Sequence, residues 1–231
     1  MRRLVWIFCA IVLPSRLKVQ VARWMFGWEI DNTAHLGRSI ILVGHLSMGP
    51  GSSIGSFNVI KGLEELRLAE GASILNRNHV TGIPLSLNAF THSPNRQPSL
   101  LMGKHSLLTL AHNLACSDLV EIGEYSSVAG YGTAIMTHSL DLVRDRFITE
   151  PVKIGEHCAV MSGCTLLSGA RIPPRCIIAA GSVVTMKLGQ ELTLYRGNPA
   201  ERVRSLPPTL GFFHRGEGGR DLGDGSSIAL G

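Results

Sequence analysis

The sequence predicts an all-β coil of triangular cross-section. Three observations predict it: a hydrophobic period of six, glycines set beside the anchors of that period, and a composition short of aromatics. Counted in sixes from Ile30, positions 30, 36, 42, 48, 54, 60 and 66 are Ile, Leu, Leu, Met, Ile, Ile and Leu. The count slips by two to Leu68, Ile74 and Val80. It resumes after an interruption at Met102, Leu108, Leu114 and Val120, and slips by two again to Ile122, Val128 and Ala134. After a second interruption it runs through Ile154, Val160, Leu166, Ile172, Ile178 and Val184. A helix repeats near 3.6 residues and a strand at 2, so neither alone produces this period. One short strand plus one corner per six residues does, with three units closing a turn of about 18 residues. Leu36, Met48, Ile54, Met102, Ile122 and Ile154 are each followed by Gly, which suits a tight corner.

The N-terminus precedes this register. Met1-Arg2-Arg3 and the apolar residues 4–13 look like the start of a signal peptide, but Pro14, Arg16 and Lys18 follow with no small-x-small cleavage site. Ten apolar residues are too few to span a bilayer. Val19, Val21, Trp24, Met25 and Phe26 then alternate with basic residues. Residues 1–29 are expected to form a helical cap over one end of the stack; the same residues suit peripheral contact with an anionic membrane surface. Residues 30–206 form the coil domain, interrupted by loops 81–100 and 137–151. Two residues before the later anchors stand Cys158, Cys164, Ala170, Cys176 and Ser182, all small, as inward positions beside a corner require. Residues 207–231, rich in Gly, Ser and Asp, read as a flexible tail.

Hydrophobic residues make up 45% of the chain and charged residues 17%, enough for a narrow aliphatic core. The net charge of +5 comes without a dense basic run interleaved with aromatics, which argues against a nucleic-acid partner. An odd count of five cysteines without paired spacing argues against a disulfide framework, the lack of a CxxC argues against a zinc knuckle or redox motif, and both point to a reducing compartment. The expected location is therefore cytoplasmic, at the inner face of the membrane where the N-terminus engages it.

Three stretches add to the repeat register: Ile135-Met136-Thr137-His138-Ser139; Val152-Lys153-Ile154-Gly155 with Ala179-Ala180-Gly181-Ser182-Val183-Val184-Thr185; and Arg196-Gly197-Asn198-Pro199-Ala200 with Val203 and Arg204 behind it. With these, residues 30–206 resemble the hexapeptide-repeat acyltransferases, in particular bacterial sugar and polysaccharide O-acetyltransferases. The resemblance implies a left-handed parallel β-helix, a homotrimer, acetyl-CoA as acyl donor, a sugar or saccharide acceptor and active sites between neighbouring subunits. It also implies that His138 takes the proton from the acceptor hydroxyl, a task an imidazole suits near neutral pH.

Asp141 follows closely and is a candidate to orient that imidazole; Asp145 is a second acid in the same loop. His112 and Asn113, about one and a half coils earlier, are candidates for acceptor binding. His79, Asn76 and Asn78 are weaker ones. Loop 81–100, with His92 and Arg96, is expected on the acceptor side or at a trimer contact. By resemblance, Ser162, Ala180 and Thr185 line the pantetheine arm, and Arg202 or Arg204 meets the CoA phosphates. The sequence departs from the family pattern at Met186, where Lys is usual, at Glu201, where a basic residue is usual, and at Ala159-Val160-Met161, which replaces Trp-Ile-Gly. A sugar N-acetyltransferase and a non-catalytic trimeric scaffold are the alternative readings. Zinc chemistry on such a fold requires a His-x4-His pair that the sequence lacks, so no metal is expected.

Overall fold

Short strands separated by corners can bury one side chain each only if the chain returns on itself, and it does so here in parallel register. The structure, a computed structural model, describes residues 2–216. Each strand pairs with the strand one turn later, as Glu29–Ile30 does with Ser47 and Met48. Three sheets result. The first face begins at Glu29–Ile30 and ends at Arg171–Ile172. The second runs from His35–Leu36 through Ile177–Ile178 to Thr193–Arg196. The third runs from Ile40–Leu42 to Val183–Val184. The first and third faces hold 7 strands each, so the molecule is a left-handed parallel β-helix of 7 coils. At the far end, Thr193–Arg196 turns back into the antiparallel strand Glu201–Ser205.

The hexad anchors are the core. Ile30, Met48, Leu68, Met102, Ile122, Ile154 and Ile172 make one buried column; Leu36, Ile54, Ile74, Leu108, Val128, Val160 and Ile178 make the second. Each fully buried aliphatic side chain contributes about 1.5–3 kcal/mol before chain entropy is counted. The third column is Ile41, Ile60, Val80, Leu114, Ile135, Leu166 and Val184. The strict count in sixes misplaces two of its members: Ile41 and Ile135 point inward, and Leu42 and Ala134 do not. The slips of two also have a physical origin. First-face strands are long enough to bury two side chains, so Leu66 and Leu68 share one strand and Val120 and Ile122 share another.

The glycines after the anchors do a different job from the one expected. Gly123 and Gly155 have no left-handed φ; a Cβ on Gly123 would meet the Gly155 carbonyl carbon at 2.5 Å, and one on Gly155 would meet Pro174 N at 2.6 Å. They permit coil-on-coil approach at the strand spacing. The small column is as expected: Cys158, Cys164, Ala170, Cys176 and Ser182 are fully buried. Burial pushes the Cys158 thiol up to about 12 and the Cys176 thiol up to about 11, and both thiols donate to carbonyls of the following turn, Pro173 O at 3.0 Å and Gln190 O at 3.3 Å.

Ahead of the coil, helix α1 over Arg2–Val12 and helix α2 over Ser15–Phe26, separated at Pro14, form a helical cap, and Glu29 already belongs to the first strand. The cap meets the open backbone edge of the first coil on all three faces. Arg23 donates to Ile30 O on the first. Ser15 Oγ accepts from Leu36 N at 2.9 Å and Lys18 Nζ donates to Gly37 O at 2.7 Å on the second. Trp6 Nε1 donates to Ile41 O at 2.8 Å on the third. Trp6, Phe26 and Trp28 pack ring against ring beneath it. At the other terminus, the stretch read as flexible begins by folding back: Gly211–His214 forms a 3-10 turn, Phe213 is buried, and Arg215 Nη1 reaches Ser127 Oγ at 3.5 Å. The rest of that stretch, 217–231, lies outside the described residues.

Candidate active site

The edge between the third and first faces carries both inserted loops. Thr137 ends the third-face run of the fifth coil and is fully buried. Its hydroxyl donates to Ala115 O at 2.7 Å and accepts from Asp118 N at 2.9 Å, one coil below. Its carbonyl accepts from Glu150 N at 3.0 Å and Ser168 Oγ at 3.2 Å. Thr137 is thus fixed at every polar atom, and His138 begins the antiparallel hairpin His138–Asp141 with Arg146–Thr149, paired with Thr149.

Loop 82–98 closes over this point. It has no regular structure and folds instead around Arg96, whose buried guanidinium donates to the carbonyls of Ile83, Pro84, Leu87 and Ser117. Arg96 lies 5.2 Å from the centroid of the Phe90 ring, and Phe90 in turn stands 6.1 Å from the His138 ring. Asp118 ties the two insertions together. Its Oδ1 accepts from Gln97 N at 2.9 Å and Leu119 N at 2.8 Å, and its Oδ2 accepts from Thr149 Oγ1 at 2.9 Å. Thr149 N donates to Ser93 Oγ across the same junction. Among the described residues, His138 Nδ1 is buried and meets no hydrogen-bond partner.

The sequence-derived candidates divide sharply. Asp141 is not brought to the imidazole: its carboxylate holds Arg144 at 3.1 Å and Arg146 at 3.5 Å and accepts from Val143 N and Arg144 N. The Arg144 bond keeps that carboxyl below its usual range. It is the turn residue of the hairpin. Asp145 sits in the same turn, with φ +46. His112 is not an acceptor ligand either. It is a buried strut in a corner ladder: its N–H donates to Asn78 Oδ1, its Nδ1 accepts from Thr133 N at 3.1 Å and its Nε2 pairs with Thr109 Oγ1 at 3.0 Å. Desolvation pushes its pKa down to about 4. Asn78 belongs to the same ladder through Asn58 and Thr109 O. Asn113 is exposed on the third face but pairs with Ala134, four residues before His138, or about 13 Å along the strand direction.

On the donor side, Ser162 and Ala180 occupy consecutive corners between the second and third faces, joined by Gly181 N to Ser162 O at 3.0 Å. Gly130 lies against Ser162, where a Cβ would overlap the hydroxyl. Thr185 follows Val184 at the other edge of the third face, on the His138 side. Arg202 and Arg204 are exposed on Glu201–Ser205, and Arg202 donates to Ser205 Oγ at 2.8 Å. Ser162 and Ala180 thus stand at one edge of the third face and Thr185 at the other, with the two arginines on the strand that pairs beyond the second face. Asp118 and Phe90 escaped the sequence reading, since a Ser-Asp pair at a corner and one aromatic in a Pro-rich loop have no distinctive spacing. Their signal is three-dimensional, through Thr137 and the His138 ring.

Residues 151–185 match the family described as bacterial transferase hexapeptide (six repeats). The matched stretch contains Ser162, Ala180 and Thr185 and begins after His138. A comparison with curated proteins returns no match. Among the solved structures that share the fold are three of similar extent. A hexapeptide-repeat-containing acetyltransferase from Vibrio cholerae superposes with TM-score 0.54 at 17% identity, over 89% of this chain and 89% of that one. The polysialic acid O-acetyltransferase OatWY gives 0.54 at 16% identity, over 77% and 84%. A mutant of AntD, an N-acyltransferase from Bacillus cereus, bound to dTDP-4-amino-4,6-dideoxyglucose and coenzyme A, gives 0.52 at 12% identity, over 82% and 89%. Among the described residues no group of three or more His, Cys, Asp and Glu could hold a metal ion.

Proposed function

We propose that this chain is a hexapeptide-repeat, acyl-CoA-dependent O-acyltransferase that moves an acetyl group from acetyl-CoA to a hydroxyl of a sugar or polysaccharide precursor. The observation that carries the reading is the His138 imidazole, anchored by the fully bonded Thr137 at a coil edge and faced by Phe90 from the inserted loop. An alcohol is a weak nucleophile at neutral pH, and a positioned imidazole supplies the missing base. His138 takes the acceptor's hydroxyl proton as the oxygen bonds to the thioester carbonyl carbon. The tetrahedral oxyanion then collapses, the C–S bond breaks, and the CoA thiolate leaves and recovers a proton from the imidazolium. Backbone N–H groups along the coil are suited to stabilise the oxyanion.

Ser162, Ala180 and Thr185 would follow the pantetheine arm, and Arg202 and Arg204 would meet the phosphates. The separation of these groups over both edges of the third face supports an active site completed by a neighbouring subunit, in a homotrimer. Five free thiols support a reducing, cytoplasmic setting. The similar solved structures support the substrate classes: one is named for O-acetylation of polysialic acid, and another holds a sugar nucleotide with coenzyme A.

The test is free-thiol release from acetyl-CoA against neutral sugars, nucleotide sugars and amino sugars, with particle mass followed by light scattering. We expect release with a hydroxyl acceptor, and a loss of about 10²–10⁴-fold in turnover for His138→Ala at unchanged particle mass. Full activity in that variant would remove His138 from the mechanism. Release with amino sugars alone would move the reaction to N-transfer, and no acceptor-dependent release would leave a scaffold.

A further inference from the structure

The cap that closes the first coil carries more apolar surface than the closure uses. On α1, Trp6 and Ala10 face the coil and are buried. Leu4, Phe8 and Ile11 lie on the opposite side of the helix and are exposed, Leu4 at 73% and Phe8 at 67%, with Val5 and Val12 exposed beside them. On α2, Lys18, Val19 and Ala22 are buried while Leu17 and Trp24 are exposed, Trp24 at 86%. Single exposed apolar side chains are ordinary; a set shared by two adjoining helices marks an interaction surface. The charge around it is of one sign. Residues 1–28 contain Arg2, Arg3, Arg16, Lys18 and Arg23 and no acid, Glu29 being the first. Arg2 and Arg16 are exposed, and no helix among the described residues is long and apolar enough to cross a membrane.

We propose that this outer face of α1 and α2 docks in the plane of an anionic bilayer, seating Leu4, Phe8, Ile11 and Trp24 against the acyl chains and Arg2 and Arg16 at the headgroup phosphates. The coil stack then stands on the membrane by its first coil. Charge selects the bilayer over a second copy of the chain. Two such faces would bring like cations together with no acid to offset them, whereas anionic headgroups complement them. Buried apolar area plus this attraction is the binding mode of interfacial helices. The inference is independent of acyl transfer, because a catalytically silent chain would bind equally.

Co-sedimentation of the full chain with vesicles of phosphatidylglycerol and phosphatidylcholine, and of phosphatidylcholine alone, tests it. We expect partitioning at least about tenfold stronger onto the anionic vesicles, weakened several-fold by about 0.5 M salt. Phe8→Asp, at a position that contributes nothing to the coil-side packing, should lower partitioning by about tenfold or more. The unaltered chain gives a second readout. Trp6 and Trp28 are buried at 1% and 3% exposure, so a blue shift and reduced acrylamide quenching on adding anionic vesicles report Trp24 alone. Equal binding to neutral vesicles, no Trp24 response, or a Phe8→Asp variant that partitions like the parent overturns the proposal. So does a parent that ignores vesicles but loses an oligomeric state on Phe8→Asp, which would give the face to a second copy.

Discussion

Histidine plays two opposed parts in this molecule, and burial decides which. His138 sits at an edge with its ring facing Phe90, whereas His112 is built into the wall, with both ring nitrogens in hydrogen bonds. Because His112 Nδ1 accepts from Thr133 N, the ring proton is on Nε2 and the imidazole is neutral. Its pKa of about 4 lies below the ordinary 6.5, so the unfolded chain takes up a proton over that interval that the folded chain refuses. Stability is therefore full above pH 6.5 and falls as the pH drops toward 4, by up to about 3 kcal/mol from this residue. Denaturant unfolding at pH 7 and pH 4.5 checks this. His112→Asn should be less stable than the parent at pH 7 yet lose less between the two pH values; equal losses would show that His112 titrates normally. The sequence showed His112 and His138 equally plainly. It did not show that Asn58, Asn78, His112 and Thr133 bond to one another up a corner, because their spacing is set by coil lengths that vary from turn to turn.

At the scale of elements, the two insertions meet at one junction, where the Asp118 carboxylate bridges them beside the Thr149–Ser93 bond. Loop 82–98 wraps its carbonyls around Arg96, and the hairpin from His138 to Thr149 is antiparallel where everything around it is parallel. Neither packs by repeat geometry, so something specific must hold them, and Asp118 accepts from a residue of each. Asp118→Ala leaves Gln97 N, Leu119 N and Thr149 Oγ1 without their acceptor, at about 1–3 kcal/mol for each donor that water cannot reach. We expect a lower Tm together with a fall in kcat, and Asp118→Asn, which keeps a carbonyl oxygen toward the two amides, should restore part of both. Unchanged kcat in the alanine variant, measured well below its Tm, would reduce Asp118 to a structural tie. The places where the chain leaves the coil were legible as gaps in the hexad count. What fills them was not, since their contacts reach across coils and are written in no local period.

The whole molecule is a stack in which each coil touches only its neighbours, so its stability is close to a sum of local terms and its weakness lies at the ends. The far end turns back on itself through Glu201–Ser205. The near end depends on the N-terminal helices, which supply a partner to an open backbone group on every face: Arg23 at Ile30, Ser15 and Lys18 at Leu36 and Gly37, and Trp6 at Ile41. The composition of residues 1–28 made a cap readable in advance; these individual bonds were not, because they join residues far apart in sequence. Deleting residues 1–28 would leave parallel strand edges unpaired across the whole first coil, a template for another chain. The distal coils keep their own contacts, so we expect β-rich circular dichroism to persist while light scattering reports particles that grow with protein concentration. Phe8→Asp, which alters only the outward side of α1, should not grow in this way. A truncated chain of constant particle size at all concentrations would mean that the first coil protects its own edge and that the helices serve the outward face alone.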